Sequence, residues 1–192
     1  MTIRVEQDGR LRRIMLAAPE KRNLLDASMS QDLLRELRAA AADETVGAIL
    51  LEAEGPAFCT GIDLEAGEDL FTIGKRISKP LIAAVKGFAV SGGVALLANA
   101  HVVVAAQGSS FGLTDIREGL WNEPVYRAVA DAIGERRSRE LSLTGRIFST
   151  PDALAWGLVH TVAPAFELDD RASEIATALA NADRSAVRAA LR

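Results

Sequence analysis

Lys79-Pro80-Leu81-Ile82-Ala83-Ala84-Val85-Lys86-Gly87-Phe88-Ala89-Val90-Ser91-Gly92-Gly93 is the stretch around which the rest of this chain can be read. Pro80 to Val85 is an unbroken apolar run, which predicts a buried strand. Gly87 to Gly93 is a glycine-bearing turn. Val94 to Asn99 is a short helix that opens directly after the glycine pair. A Gly-Gly step at a helix start lets the backbone approach a ligand closely. The first N–H groups of that helix have no partner within it, and its dipole makes that end positive. On the glycine pair alone, tight strand–helix packing is the simpler explanation.

On either side the pattern repeats. Val46 to Leu51 is another apolar run, ended by the turn Gly55-Pro56, and His101 to Ala106 is a third. Thr2 to Glu6 and Arg12 to Leu16 alternate around Asp8-Gly9, a hairpin signal. Asp26 or Ser28 caps a helix whose Leu33, Leu34, Leu37 and Ala40 share a face. Phe58 to Asp69 is a loop, Leu70 to Ile77 a short helix and Ser110 to Gly112 a brief strand. Pro124 opens a helix to Ile133 as a first-turn proline. Further helices are expected over Arg136–Leu143, Pro151–Trp156 and Phe166–Ala180, with a last strand over Leu158–Val162. Strands alternating with helices predict an α/β fold with much parallel pairing, in one domain spanning residues 1–192.

Composition narrows the function classes. The 192 residues are 49% hydrophobic and 25% charged, ordinary for a globular chain that needs no disulfide or metal staple. A net charge of −4 argues against a basic nucleic-acid face. Cys59 is the lone cysteine, so no internal disulfide forms. The N-terminus lacks the apolar core of a signal peptide, and no run is long enough to span a bilayer. The expectation is a cytoplasmic protein with no membrane or nucleic-acid partner.

Four motifs occur in order: Phe58-Cys59-Thr60-Gly61-Ile62-Asp63; the stretch quoted above; Phe111-Gly112-Leu113-Thr114-Asp115-Ile116-Arg117-Glu118-Gly119-Leu120; and, more weakly, Leu143-Thr144-Gly145-Arg146 with Ala153-Leu154-Ala155-Trp156-Gly157-Leu158-Val159. With Pro19-Glu20-Lys21-Arg22-Asn23 near the start, they resemble the enoyl-CoA hydratase/isomerase, or crotonase, family from Thr2 to the C-terminus. The resemblance implies a crotonase-like spiral of ββα units. It implies an acyl-CoA substrate whose thioester oxygen lies between the N–H groups of Ile62 and Gly92. Such donors are worth about 3–4 kcal/mol each when aimed at a developing oxyanion. It places Lys21 and Arg22 near the nucleotide or its phosphates, where cations help. Thr60, Gly61, Asp63 and Gly93 fall beside the bound coenzyme A. Trp121 either lines the acyl pocket or plugs the core. No metal and no cofactor is implied beyond the coenzyme A carried by the substrate. Family likeness also suggests homo-oligomers, trimers or dimers of trimers.

The chain departs from the family's pattern in ways that bear on chemistry. Hydratases of this family carry a glutamate where Ala95 stands, and a second where Asp115 stands. A methyl group moves no proton, whereas an aspartate still serves as acid or base. Glu123 stands where other family members place a catalytic acid or a nucleophilic aspartate. Asp115 and Glu123 are therefore the candidate catalytic pair. If they share a cavity, their charges should separate their pKa values. The alternative for Glu123 is a first-turn carboxylate stabilised by the dipole of the Pro124 helix. His101 and His160 read as structural, and Cys59 as a small packed residue. The segment 65–79 is short for the family, and the C-terminal cover helices are mostly missing. The favoured reading is double-bond isomerisation using the oxyanion hole and Asp115. The alternatives are hydrolysis or substitution using Glu123, or a non-catalytic subunit that binds coenzyme A or serves assembly.

Overall fold

The computed structural model describes residues 2–63 and 69–192; the expected loop over 58–69 lies partly outside these, at 64–68. The predicted hairpin is β1 (Ile3–Asp8) and β2 (Leu11–Leu16), paired antiparallel. After it come α1 (Ala27–Ala42), β3 (Ala48–Ala53), β4 (Ala57–Cys59), β5 (Leu81–Val85), β6 (Phe88–Val90) and α2 (Gly92–Asn99). Then follow β7 (Val102–Ala106), β8 (Ser110–Gly112), α3 (Glu123–Ile133), α4 (Glu135–Thr144), β9 (Ile147–Ser149), α5 (Thr150–Ala155), β10 (Thr161–Ala163), α6 (Leu168–Ala180) and α7 (Arg184–Ala190).

Among the described residues the strands form two sheets. The larger runs β1-β2-β3-β5-β7-β10, parallel from β2 onward. The smaller runs β4-β6-β8-β9, with β4, β6 and β8 parallel and β9 antiparallel. Three times in succession the chain lays one strand in the large sheet and the next in the small one: β3 then β4, β5 then β6, β7 then β8. Helical segments Leu70–Lys75, α2 and α3 separate the turns. This is the expected spiral of ββα units.

Why the central strands read as continuous apolar runs is visible in their two faces. Ile49, Leu51, Ala83, Val85, Val103 and Ala105 point into one core with α1 and α2. Ala48, Leu50, Ile82, Ala84, Val104 and Ala106 point the other way, onto Leu168, Ala172, Ala176 and Ala180 of α6. Those four recur every fourth residue, so they form one stripe on α6. A Cβ at Gly47 would lie 2.1 Å from the carbonyl oxygen of Ala180, so the chain entering β3 passes directly against the end of that helix.

Some boundaries differ from the sequence expectation for identifiable reasons. The last strand begins at Thr161, not Leu158, because the N–H groups of Leu158 and Val159 bond back to Ala153 and close α5. The segment after 69 is a 3₁₀ helix, Leu70–Lys75, with the side-chain amide of Asn99 donating to the carbonyl of Leu70. Asp26, rather than Ser28, caps α1, accepting from the N–H of Met29 at 2.8 Å. Among the described residues no helix is long and apolar enough to cross a membrane.

Candidate functional site

Because β4, β6 and β8 are neighbouring and parallel, their C-terminal ends lie along one edge of the small sheet. Ligand crevices in open parallel sheets form outside such ends. Thr60-Gly61-Ile62 leaves the end of β4, Ser91-Gly92 leaves β6, and Leu113 to Asp115 leaves β8. The topology thus gathers three of the sequence motifs on one edge.

Ile62 forms a parallel bridge with Leu25. The bridge uses the carbonyl of Gly61 and the N–H of Asp63, bonded to Leu25 at 3.1 and 2.9 Å. In an extended segment successive peptide groups point opposite ways, so the N–H of Ile62 is turned away from Leu25. Gly92 lies against Ile62: a Cβ on Gly92 would meet the Ile62 Cβ at 2.7 Å. As the first residue of α2, Gly92 has an N–H with no place in the helix ladder. Neither N–H has an acceptor among the described residues. Gly93 backs onto β4, where a Cβ would sit 2.4 Å from the carbonyl oxygen of Cys59. Both glycines therefore hold positions that exclude any side chain.

Ser91 lies immediately before them, as the N-cap residue of α2. It is 4% exposed and sits at φ 48°, ψ −110°. A non-glycine residue there carries about 1–3 kcal/mol of backbone strain. Its N–H donates to the carbonyl of Gly112 at 2.8 Å, fastening the turn to the end of β8. Its hydroxyl caps no helix N–H and instead donates to Asp115 Oδ1 at 2.7 Å. Asp115, half-buried at the start of the 3₁₀ turn Asp115–Glu118, is thereby joined to the turn that carries Gly92. The only hint in sequence was a serine where a turn with positive φ favours glycine.

Glu123 occupies the first turn of α3, behind the N-cap Asn122, whose side chain accepts from Val125 N–H at 3.2 Å. Its carboxylate accepts from Arg127 Nε at 2.7 Å and from Trp121 Nε1 at 2.8 Å. These bonds, that from Arg127 first, hold its carboxyl below the usual range; Asp115 is not among the causes. Trp121 is 46% exposed and tilts against Tyr126 with ring centres 5.1 Å apart. Ala95 is fully buried.

Lys21 and Arg22 are exposed on the turn after β2. Lys21 lies 3.6 Å from Asp26, and the carbonyl of Arg22 accepts from Thr60 Oγ1 at 3.3 Å. The loop is pinned by Asn23, which is fully buried at φ 54°. Its side chain accepts from Ala18 N–H and donates to the carbonyls of Glu54 and Ala57, each at 2.9 Å. Gly61 and Asp63 flank Ile62, Gly61 buried and Asp63 exposed. Cys59 is buried, and burial pushes its thiol up to about 12. Both histidines use Nδ1 as an acceptor: His101 from Leu81 N–H at 2.9 Å and His160 from Val103 N–H at 3.0 Å. Among the described residues no cluster of side chains could hold a metal ion.

Comparison with known proteins points the same way. A family model described as Enoyl-CoA hydratase/isomerase matches residues 6–192. Enoyl-CoA hydratase domain-containing protein 3, mitochondrial, of Rattus norvegicus is 31% identical over 198 residues, covering 95% of this chain and 66% of the rat protein. A putative enoyl-CoA hydratase of Thermus thermophilus is 31% identical over 196 residues, covering 93% of this chain and 77% of the relative. The crystal structure of human enoyl coenzyme A hydratase domain-containing protein 3 matches with a TM-score of 0.92 at 29% identity, covering 100% of this chain and 82% of that one. That of an enoyl-CoA hydratase of Mycobacterium smegmatis matches with a TM-score of 0.93 at 28% identity, covering 100% and 81%. The chain therefore spans just under two thirds of the rat relative's length.

Proposed function

Since the chain belongs to the enoyl-CoA hydratase/isomerase family, we propose that it binds an acyl-CoA thioester and shifts a double bond next to the thioester carbonyl. The thioester oxygen lies between the N–H groups of Ile62 and Gly92. As a proton leaves the substrate carbon, negative charge develops on that oxygen, and two fixed donors stabilise it where it forms. Asp115 takes the proton from one carbon and returns it to another. Lys21 and Arg22 meet the phosphates of coenzyme A, and Thr60, Gly61, Asp63 and Gly93 line its path.

The observation that favours isomerisation is Ala95, a fully buried methyl where the family's hydratases carry a carboxylate. Adding water across a double bond uses a second group to position and deprotonate that water. Moving a proton between two carbons needs one carboxylate that is first base and then acid. The relatives reported above bear hydratase names, so the assay must separate the two reactions. Conjugated and unconjugated enoyl-CoA thioesters are followed by ultraviolet absorbance, with product mass distinguishing a shifted bond from added water. Wild type should interconvert the isomers without a gain of 18 mass units, and Asp115→Asn should lose at least roughly 100-fold in kcat. A product heavier by one water, or an unimpaired Asp115→Asn, removes this reading.

A further inference from the structure

We propose a second activity at the same edge: Ser91 is a nucleophile that takes the acyl group from the thioester sulfur as an oxygen ester, which water then hydrolyses. The inference rests on the reading that an acyl thioester places its carbonyl between Ile62 and Gly92.

Four observations converge on Ser91. It alone makes the turn between the end of β6 and the first residue of α2, at φ 48° and ψ −110°. A serine at the apex of a sharp strand-to-helix turn, with small residues two positions to either side, is the local build of a serine nucleophile elbow. Here those residues are Ala89, fully buried, and Gly93, where a Cβ would lie 2.4 Å from the carbonyl oxygen of Cys59. In such an elbow the N–H of the next residue is one of the oxyanion donors. That residue is Gly92, the same donor the family likeness assigned. Finally, the Ser91 hydroxyl is not spent on capping α2 but donates to a carboxylate, Asp115 Oδ1, at 2.7 Å. A nucleophile, a base within hydrogen-bond reach and an oxyanion donor are therefore consecutive or bonded to one another.

The chemistry closes with water alone. Asp115 takes the hydroxyl proton as Ser91 Oγ bonds to the carbonyl carbon, and the oxyanion rests on Ile62 and Gly92. The carbon–sulfur bond breaks and the departing thiolate takes the proton back from Asp115. Water then attacks the Ser91 ester and gives its proton to Asp115. As the Oγ–carbon bond breaks, that proton returns to Ser91, and a carboxylic acid leaves. Net, one thioester and one water become one acid and one thiol. Asp115 serves both reactions, so a substrate without a mobile double bond leaves hydrolysis as the only outcome.

Saturated acyl-CoA thioesters from two to ten carbons test this, with free thiol read by a chromogenic disulfide. Intact-protein mass spectrometry after acid quench reads the acyl adduct, and peptide mapping locates it. Wild type should release thiol and show an acyl adduct on the Ser91 peptide. Ser91→Ala should lose both, thiol release by at least 100-fold. Ser91→Gly, which removes the hydroxyl while suiting the positive φ, should lose both with no fall in melting temperature. Ser91→Cys should restore the adduct as a thioester. The proposal is overturned if wild type releases no thiol, or if Ser91→Gly releases it as fast as wild type. It is also overturned if the adduct maps elsewhere. Double-bond migration in wild type without thiol or adduct overturns this inference alone; absence of every change with all thioesters overturns the acyl-thioester reading as well.

Discussion

A methyl group at position 92 has no room: it would meet Ile62 Cβ at 2.7 Å. Gly92→Ala must push the two donor segments apart, and misplaced oxyanion donors cost about 10²–10³ in kcat. We expect that loss in acyl-CoA turnover, with only about 1–3 kcal/mol taken from stability in a denaturant melt. At Asn23 the balance is opposite, since its buried amide is spent on three backbone groups, those of Ala18, Glu54 and Ala57. Asn23→Ala leaves those groups unpaired and should destabilise by roughly 1–3 kcal/mol or more. The accompanying kinetic change should be a rise in KM, because the loop carrying Lys21 and Arg22 is released. Glu123→Gln keeps a group that accepts from Trp121, and turnover should be nearly unaffected; a fall beyond about tenfold would mean that Glu123 takes part in the chemistry. Cys59, whose thiol is pushed up to about 12, should resist iodoacetamide at pH 8 in the native protein and react fully in denaturant.

At the scale of elements, α6 is held by four small or branched residues against the outer face of the large sheet. Gly47→Ala would place a Cβ 2.1 Å from the backbone of Ala180, which cannot rotate away. It should destabilise by about 1–3 kcal/mol in a denaturant melt while leaving kcat alone, because the ligand edge lies in the other sheet. The elements most legible in the sequence were those with period: the apolar runs of β3, β5 and β7, and α1 with its Asp26 cap. Three-residue strands show little alternation: β8 was read and β10 was placed too early, while β4 and β6 fell in stretches read as a loop and a turn and β9 was not read. The short helix α7 was missed because every one of its residues is exposed or half-buried, so no face is marked by apolar residues. The paired backbone donors were legible because glycines at fixed spacing announce main-chain geometry. The Ser91–Asp115 bond was not, because 24 residues separate the partners and only the pairing of β6 with β8 joins them.

For the molecule as a whole, protonation sets two stability windows. Burial is the first cause that lowers the pKa of His101, whose Nδ1 must stay unprotonated to accept from Leu81 N–H. Its folded pKa lies below the unfolded value of about 6.5. Stability from the neutral ring is therefore full above about pH 6.5 and is lost as pH falls below it. His101→Asn keeps an acceptor without a titrating proton, and should flatten the slope of melting temperature against pH just below 6.5. Asp26, Asp152 and Asp183 have carboxyls lowered by the helix-start N–H and hydroxyl groups they accept from. Their contribution holds above about pH 4 and disappears as pH falls further. The covering role of α6 also has a consequence in time. Leu11, Ala48 and Leu50 emerge early in synthesis, yet their lid comprises residues 168–180, and Arg13 bonds Ser173 across 160 positions at 2.6 Å. At roughly 5–20 residues per second, the underside of the nascent sheet stays bare on the ribosome for on the order of ten seconds. During that interval an apolar face several strands wide is open to chaperones and to neighbouring nascent chains. The yield of folded protein in a cell should therefore depend on how soon α6 arrives as well as on the segment that carries the chemistry.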